Sequence, residues 1–171
     1  SLKYYPLVEN THHEGILRLT IAPAQNIPKS LQKKAEEYMH SLINEMDHVG
    51  VMTLELFDSS DELIVNEIAP RVHNSGHWTI EGAQTSQFEN HIRAITNSPL
   101  GATSIKSSFN AMINIIGMHG QTSKVLETKN AHLHLYDKEE RKGRKLGHIT
   151  LTSNSMEELN KSIDSLKEYL P

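Results

Sequence analysis

Two runs of strand-forming residues, Val51 to Phe57 and Leu63 to Ile68, flank the turn-forming quartet Asp58-Ser59-Ser60-Asp61, and this pairing constrains the fold more than any other stretch. Such runs, separated by Asp and Ser, predict an antiparallel hairpin. Each carries a carboxylate among uncharged neighbours: Glu55 between Leu54 and Leu56, and Glu67 between Asn66 and Ile68. A carboxylate so placed is costly unless something charged meets it. A five-residue loop from Asp58 to Glu62 would set Glu55 opposite Val65, with Glu67 its diagonal neighbour on the same face. A four-residue loop would send the two to opposite faces unless a bulge restored the register. On one face they could share a cation across a diagonal of about 7–8 Å. Hard oxygen ligands of this kind suit Mg²⁺. The plainer alternative is a pair of solvent-facing glutamates or structural ion pairs.

The rest of the chain supplies helices and further strands. Leu2 to Asn10 and Ile16 to Ile21 read as strands, and Ser30 is a reasonable cap for a helix striped by Leu31, Ala35, Tyr38, Met39, Leu42, Ile43 and Met46. Ser86 with Glu89 forms a capping box for a helix carrying Phe88, Ile92 and Ile95, which Asn97-Ser98-Pro99 ends. The small and polar residues from Pro99 to Ser108 mark a boundary between residues 1–98 and 99–171. Beyond it come strands at 111–117, 131–136 and 146–152, then a helix capped by Ser155 and striped by Leu159, Ile163, Leu166 and Leu170. The pattern is mixed α+β with mostly antiparallel strands.

Composition narrows the chemistry. With 17 Lys and Arg against 21 Asp and Glu in 171 residues, the chain is mildly acidic, which argues against nucleic acid as a partner. The absence of cysteine excludes a thiolate metal site, a disulfide framework and a cysteine nucleophile, and it is compatible with a reducing compartment. No apolar run approaches the ~20 residues of a membrane span. A small-molecule site is the expectation that remains.

Immediately after Glu67 the chain reads Ile68-Ala69-Pro70-Arg71-Val72-His73-Asn74-Ser75-Gly76-His77-Trp78-Thr79. Arg71 offers a fork that grips phosphate or carboxylate, and Ser75 and Gly76 offer a hydroxyl and an unobstructed N–H. An anion site and a structural arginine capping loop carbonyls both fit the pattern. The 11 histidines raise a zinc site, with His132 and His134 on one strand face and His73 and His77 four apart, but no third ligand is identifiable. Lys138 to Lys145 holds five basic residues in eight, which reads as a solvated hairpin tip or, if folded against Arg71, as a second anion clamp.

The string Asn66-Glu67-Ile68-Ala69-Pro70-Arg71-Val72-His73-Asn74-Ser75-Gly76-His77-Trp78-Thr79 closely resembles the signature of the N5-carboxyaminoimidazole ribonucleotide synthases of purine biosynthesis, members of the ATP-grasp superfamily. The resemblance extends through Pro6 to Asn10, Gly15 to Arg18, Gly50 to Met52, Thr85 to Glu89 and Gly143 to His148. It implies an ATP-grasp carboxy-terminal subdomain, an antiparallel sheet with helices, followed by a small mostly-β carboxy-terminal domain. The implied reaction is ATP-dependent carboxylation of 5-aminoimidazole ribonucleotide by bicarbonate through carboxyphosphate, in a cytoplasmic homodimer.

The resemblance also implies roles for individual residues. Glu55 and Glu67 match carboxylates that hold Mg²⁺, or Mn²⁺, against the nucleotide phosphates, with Asn66 beside them and His12 near the nucleotide. Arg71, His73, Asn74 and Ser75 match the loop facing the ribonucleotide and carboxyphosphate, with Arg71 and Glu67 closest to catalysis. Lys138 and Arg144 match residues that hold the substrate phosphate. The chain opens with Ser1 and resembles only the later half of such an enzyme, so it is expected to be a carboxy-terminal fragment, inactive alone. A related ATP-grasp ligase and a non-catalytic nucleotide- or anion-binding module are the alternatives.

Overall fold

The computed structural model describes residues 1–59 and 62–170. Five strands form one antiparallel sheet in the order β1 (Glu9–His13), β2 (Ile16–Ala22), β5 (Phe109–Ile116), β7 (Lys145–Ser153), β6 (Ala131–Leu135). A separate two-stranded sheet pairs β3 (Thr53–Ser59) with β4 (Glu62–Ala69). The larger sheet joins strands from both ends of the chain, because β2 bonds directly to β5 from Leu19↔Ile113 to Ala22↔Asn110.

One face of this sheet is apolar. Ala111, Ile113 and Ile115 of β5, with Ile149 and Leu151 of β7, meet Leu159 and Ile163 of α5 (Met156–Ser165) and Val125 of α4 (Thr122–Glu127). Ser155 caps α5 by accepting the Glu158 N–H at 3.4 Å. The opposite face is mixed: Met112 and Leu17 pack under Trp78, while Asn110, Asn114, His148 and Thr150 are buried polar residues. Burying four polar side chains on one face is costly unless each meets a partner, so this face rather than the apolar one is where chemistry is expected.

Several local expectations change. Residues 1–8 form no strand, although β1 begins at Glu9. A segment crossing a sheet face in extended form carries the same apolar alternation as a paired strand. Helix α1 (Lys29–Glu45) starts one residue before the expected cap, after Pro28, and of its stripe only Ala35 is buried. In α3 (Gln87–Ile95), Ser86 caps Glu89 N–H at 3.1 Å as anticipated, and Asn97, at φ 54°, follows the last turn. The buried residues of α3 are Gln87 and Asn90, whereas Phe88, Ile92 and Ile95 are exposed. The polar stretch after Arg71 contains α2 (Thr79–Gly82), and the one after Gly117 contains α4. Among the described residues no helix is long and apolar enough to cross a membrane.

Strands β6 and β7 approach so closely at Gly147 that an added Cβ would collide with the His134 carbonyl oxygen. Gly147→Ala is therefore expected to destabilise the fold by about 3 kcal/mol, the upper end of overpacking effects. The fall should appear in the urea midpoint, and an unchanged midpoint would contradict the β6–β7 register.

Candidate functional site

The hairpin pairing runs from Ser59↔Glu62 through Leu56↔Val65, the parity of an even connection, and then slips. Glu55 pairs with Glu67 rather than with Asn66, so Asn66 is the extra residue of a bulge. Without it Glu55 and Glu67 would lie on opposite faces. Of the alternatives the sequence leaves open, the even connection with a bulge that corrects the register is the one observed; Ser60 and Asp61 lie outside the described residues. The two carboxylates stand directly opposed, closer than the diagonal arrangement would bring them. Glu55 has only 14% of its side chain exposed, and Glu67 is exposed. Among the described residues neither makes a hydrogen bond, and no group of three His, Asp or Glu side chains converges as a metal site.

Downstream of the hairpin, the loop is pinned from two sides. Gln87, at the first turn of α3, accepts the His73 N–H (3.0 Å) and donates to the His73 carbonyl (2.7 Å) and His77 Nδ1 (2.9 Å). A Cβ at Gly76 would stand 2.6 Å from Gln87 Oε1, so the loop passes Gln87 only as glycine. From the sheet side, Asn114 and Asn74 exchange amide hydrogen bonds of 2.7 and 2.9 Å, and Asn114 also donates to the Leu17 carbonyl. Ser75 is buried, with its Oγ 2.9 Å from His73 Nδ1.

His73 Nδ1 approaches Glu55 Oε1 at 3.8 Å, a contact that is an ion pair only when the imidazole is protonated. Nδ1 accepts the Ser75 N–H, and burial pushes the imidazole pKa down against the pull of Glu55. Arg71 is exposed and donates to the Val72 carbonyl at 2.9 Å rather than to either carboxylate. Its charge still reaches His73 and Lys145.

The sequence marks Lys145 only as one basic residue of the charge-rich run from Lys138 to Lys145, with no role of its own. Strand β7 carries a second bulge: Ile115 pairs with Gly147 and Ile116 with Lys145, leaving Leu146 over. Leu146 enters the apolar core, and Lys145 emerges on the face of Asn114 and His148. Burial lowers its pKa, with Arg71 adding to the fall and Glu55 and Glu67 opposing it.

The remaining candidates are spread more widely. His12 pairs with Leu17 in β1–β2, is exposed, and lines a cavity of about 940 Å³ together with Glu55, Asn66 and Ser75. Lys138 lies 5.4 Å from the Tyr136 ring centroid, and Arg144 Nη1 reaches the Glu139 carbonyl at 3.4 Å. Both are on the segment between β6 and β7, outside that cavity. Tyr136 links the segment to a buried imidazole cluster. Its hydroxyl is 2.7 Å from His148 Nδ1; the His148 ring stacks on His134 at 4.4 Å and lies 5.2 Å from that of His77. His134 Nε2 donates to Glu81 at 2.8 Å, and His132 is exposed. Burial moves the Tyr136 hydroxyl up to about 12 and lowers His77 to about 4 and His148 to about 3.

Comparison with known proteins supplies the wider context. The model of the ATP-grasp domain matches residues 1–88. The chain belongs to the ATP-grasp family. Residues 110–162 match the model described as the phosphoribosylaminoimidazole carboxylase C-terminal domain. The N5-carboxyaminoimidazole ribonucleotide synthase of Escherichia coli is 44% identical, aligned over all of this chain and 47% of its own length. The synthase of Pseudomonas aeruginosa is 49% identical over 87% of this chain and 40% of its own. The chain therefore spans less than half the length of these relatives. The N5-carboxyaminoimidazole ribonucleotide synthetase of Thermus thermophilus superposes with a TM-score of 0.95 at 51% identity, covering 98% of this chain and 46% of that one. The Aspergillus clavatus enzyme, solved with ADP and 5-aminoimidazole ribonucleotide, superposes at 0.85 with 36% identity, covering 97% and 46%. The antiparallel ATP-grasp subdomain fold expected from the sequence is the one observed.

The imidazole cluster generates a pH dependence. His77 and His148 bind protons less readily when folded than at the ordinary value near 6.5, so between that pH and about 4 the unfolded chain takes up more protons. Stability is complete above pH 6.5 and falls as pH is lowered. His148, 2% exposed, contributes a loss on the order of 2 kcal/mol by pH 5. Thermal unfolding of the 171-residue chain from pH 7.5 to 4.5 should show a decline that is shallower in His148→Phe. Parallel slopes would contradict a neutral buried cluster.

Proposed function

We propose that this chain is the carboxylate- and substrate-holding portion of an ATP-dependent ligase that carboxylates the exocyclic amine of 5-aminoimidazole ribonucleotide with bicarbonate. The observation that carries this reading is the bulge-aligned pair Glu55–Glu67 beside a loop fixed by Gln87 and Asn114. The names of the relatives, and the ADP and ribonucleotide bound to one of them, support it.

Glu55 and Glu67 fit a Mg²⁺ site. Glu55 is a mostly buried carboxylate with no hydrogen-bond donor among the described residues, and Mg²⁺ commonly takes one or two carboxylates and fills its remaining positions with water and phosphate. When bound there it would offset charge on the nucleotide phosphates. Asn66, at the bulge, and His12 face the same cavity and would contact the nucleotide.

The reaction requires bicarbonate oxygen to attack the γ-phosphorus with departure of ADP, after which the ribonucleotide amine attacks the carboxyphosphate carbon and expels phosphate. Arg71 supplies a fixed positive charge to the anions of both steps, which is where preorganised electrostatics is effective. His73 can accept or donate a hydrogen bond at its ring nitrogens, and Asn74 and Ser75 are held for orientation by Asn114 and by the His73 ring. Lys138 and Arg144 would grip the ribonucleotide phosphate on the late segment, which Tyr136 and His148 tie to the sheet. With the boundary set at residues 98 and 99, the metal carboxylates and the Arg71 loop fall in residues 1–98, and Lys138 and Arg144 in residues 99–171.

In the complete enzyme, Glu67→Gln should lower bicarbonate-dependent ADP release by about 100-fold or more. Ribonucleotide affinity, measured by calorimetry, should change less than about twofold, because Glu67 is assigned to the nucleotide side. Undiminished turnover would overturn the carboxylate-pair reading.

A further inference from the structure

Residues 136–144, which carry Lys138 and Arg144, contain neither helix nor strand. Such a segment is placed by the bonds that leave it. At its ends these are mainly to the sheet: the Tyr136 N–H donates to the Leu146 carbonyl at 2.8 Å, the Tyr136 hydroxyl meets His148, and the Arg144 carbonyl accepts the Gly117 N–H at 2.9 Å. Between those ends, among the described residues, one side chain hydrogen-bonds outside the segment. Glu140 Oε1 accepts the His119 N–H at 2.7 Å and lies 3.0 Å from His119 Nδ1. The bonds from Arg144 to the Glu139 and Arg141 carbonyls close on the segment itself.

The backbone N–H of His119, followed by its ring, holds the Glu140 carboxyl below the ordinary carboxylate range. An ionised carboxylate only accepts, so Nδ1 carries the ring hydrogen. His119 is in turn fixed from the core. The Tyr169 hydroxyl donates to its carbonyl at 3.1 Å, and Tyr169 is buried in the apolar cluster of β5, β7 and α5. Gly120, at φ 65°, passes so close that an added Cβ would stand 2.8 Å from the Tyr169 ring. Contacts therefore run from the core through Tyr169 and His119 to Glu140, which lies between Lys138 and Arg144 in the chain.

We propose that Glu140 is a positioning residue for ribonucleotide binding: its bonds to His119 hold the segment so that Lys138 and Arg144 face the substrate phosphate together. This rests on the ligase reading above, which assigns the phosphate to those two cations, and adds what places them. The Glu140 side chain is 51% exposed, so the contact contributes little to global stability. Its effect on binding is direct, because apparent affinity falls with the fraction of molecules whose clamp is in place. Charge and position act here with opposite signs. Deleting a carboxylate near a phosphate site strengthens anion binding by Coulomb attraction alone, whereas loss of the anchor weakens it.

The test uses the complete enzyme and its Glu140→Ala, Glu140→Gln and Arg144→Ala variants. Ribonucleotide Kd is measured by calorimetry, bicarbonate-dependent ADP release at saturating substrates gives kcat, and thermal scanning gives Tm. Glu140→Ala is expected to raise Kd about fivefold, with kcat within about twofold and Tm unchanged. Glu140→Gln keeps an oxygen that can accept the His119 N–H and should bind within about twofold of the parent. A Kd for Glu140→Ala that is unchanged or lowered overturns the inference, as does a glutamine variant as weak as the alanine one. A loss confined to kcat, or accompanied by a lowered Tm, also overturns it. Arg144→Ala tests the reading beneath: it should raise Kd at least about tenfold. Unchanged binding there, or a parent that releases no ADP in response to bicarbonate, would sink the ligase reading itself, an outcome distinct from an active clamp that is indifferent to Glu140.

Discussion

Strict alternation of side chains along a β-strand is the constraint on which this site depends, because it decides which charges can meet. Three strand pairs break the alternation by one residue. Arg18 is the extra residue between β1 and β2, Asn66 between β3 and β4, and Leu146 between β5 and β7. The first lets His12 share a face with the buried Leu17. The second aligns Glu55 with Glu67, and the third turns Lys145 toward the polar face while sending Leu146 into the core. Insertion of one residue inverts every position beyond it, so each bulge changes the face on which a polar or charged side chain emerges without altering the apolar packing behind it.

The loop after β4 is made rigid by amides rather than by charges. Gln87 clamps its backbone, Asn114 clamps Asn74, and Thr79 Oγ1 donates to the Gly76 carbonyl at 2.6 Å while accepting the Gln87 N–H. Neutral donors and acceptors fix geometry without adding charge beside Arg71 and Lys145. The buried imidazoles serve the same end. Held neutral by burial, His77 and His148 fill the space between α2 and β7 with hydrogen-bonding groups that carry no competing charge.

Much of this was legible in the sequence where local chemistry decides. The capping serines at 86 and 155, the hairpin of β3 and β4 and the apolar periodicity of α5 are each set by residues a few positions apart. The signature from Asn66 to Thr79 contains the loop and Glu67, while Glu55 stands out as a carboxylate among the apolar residues of its strand. What was not legible depends on partners distant in sequence. Bulge parity at Asn66 cannot be inferred from strand propensity, since an even and an odd connection have the same composition. Lys145 lies in a run of basic residues, and its pairing with Ile116 is what places it on the polar face of the sheet. Phe88, Ile92 and Ile95 suggested a core-facing stripe, yet α3 turns Gln87 and Asn90 inward because the loop and Gly101 need their amides. The signal that could have found Lys145 was its adjacency to Leu146 and Gly147, an alternation error at the start of a strand.

The most direct measurement is the anomalous density of Mn²⁺ in crystals of the complete enzyme with a non-hydrolysable ATP analogue. One ion should be coordinated by carboxylate oxygens of both Glu55 and Glu67 at about 2.1–2.2 Å, close to the distances of Mg²⁺. An ion held by only one of them, or seated away from the β3–β4 pair, would contradict the claim that the bulge at Asn66 exists to bring the two together.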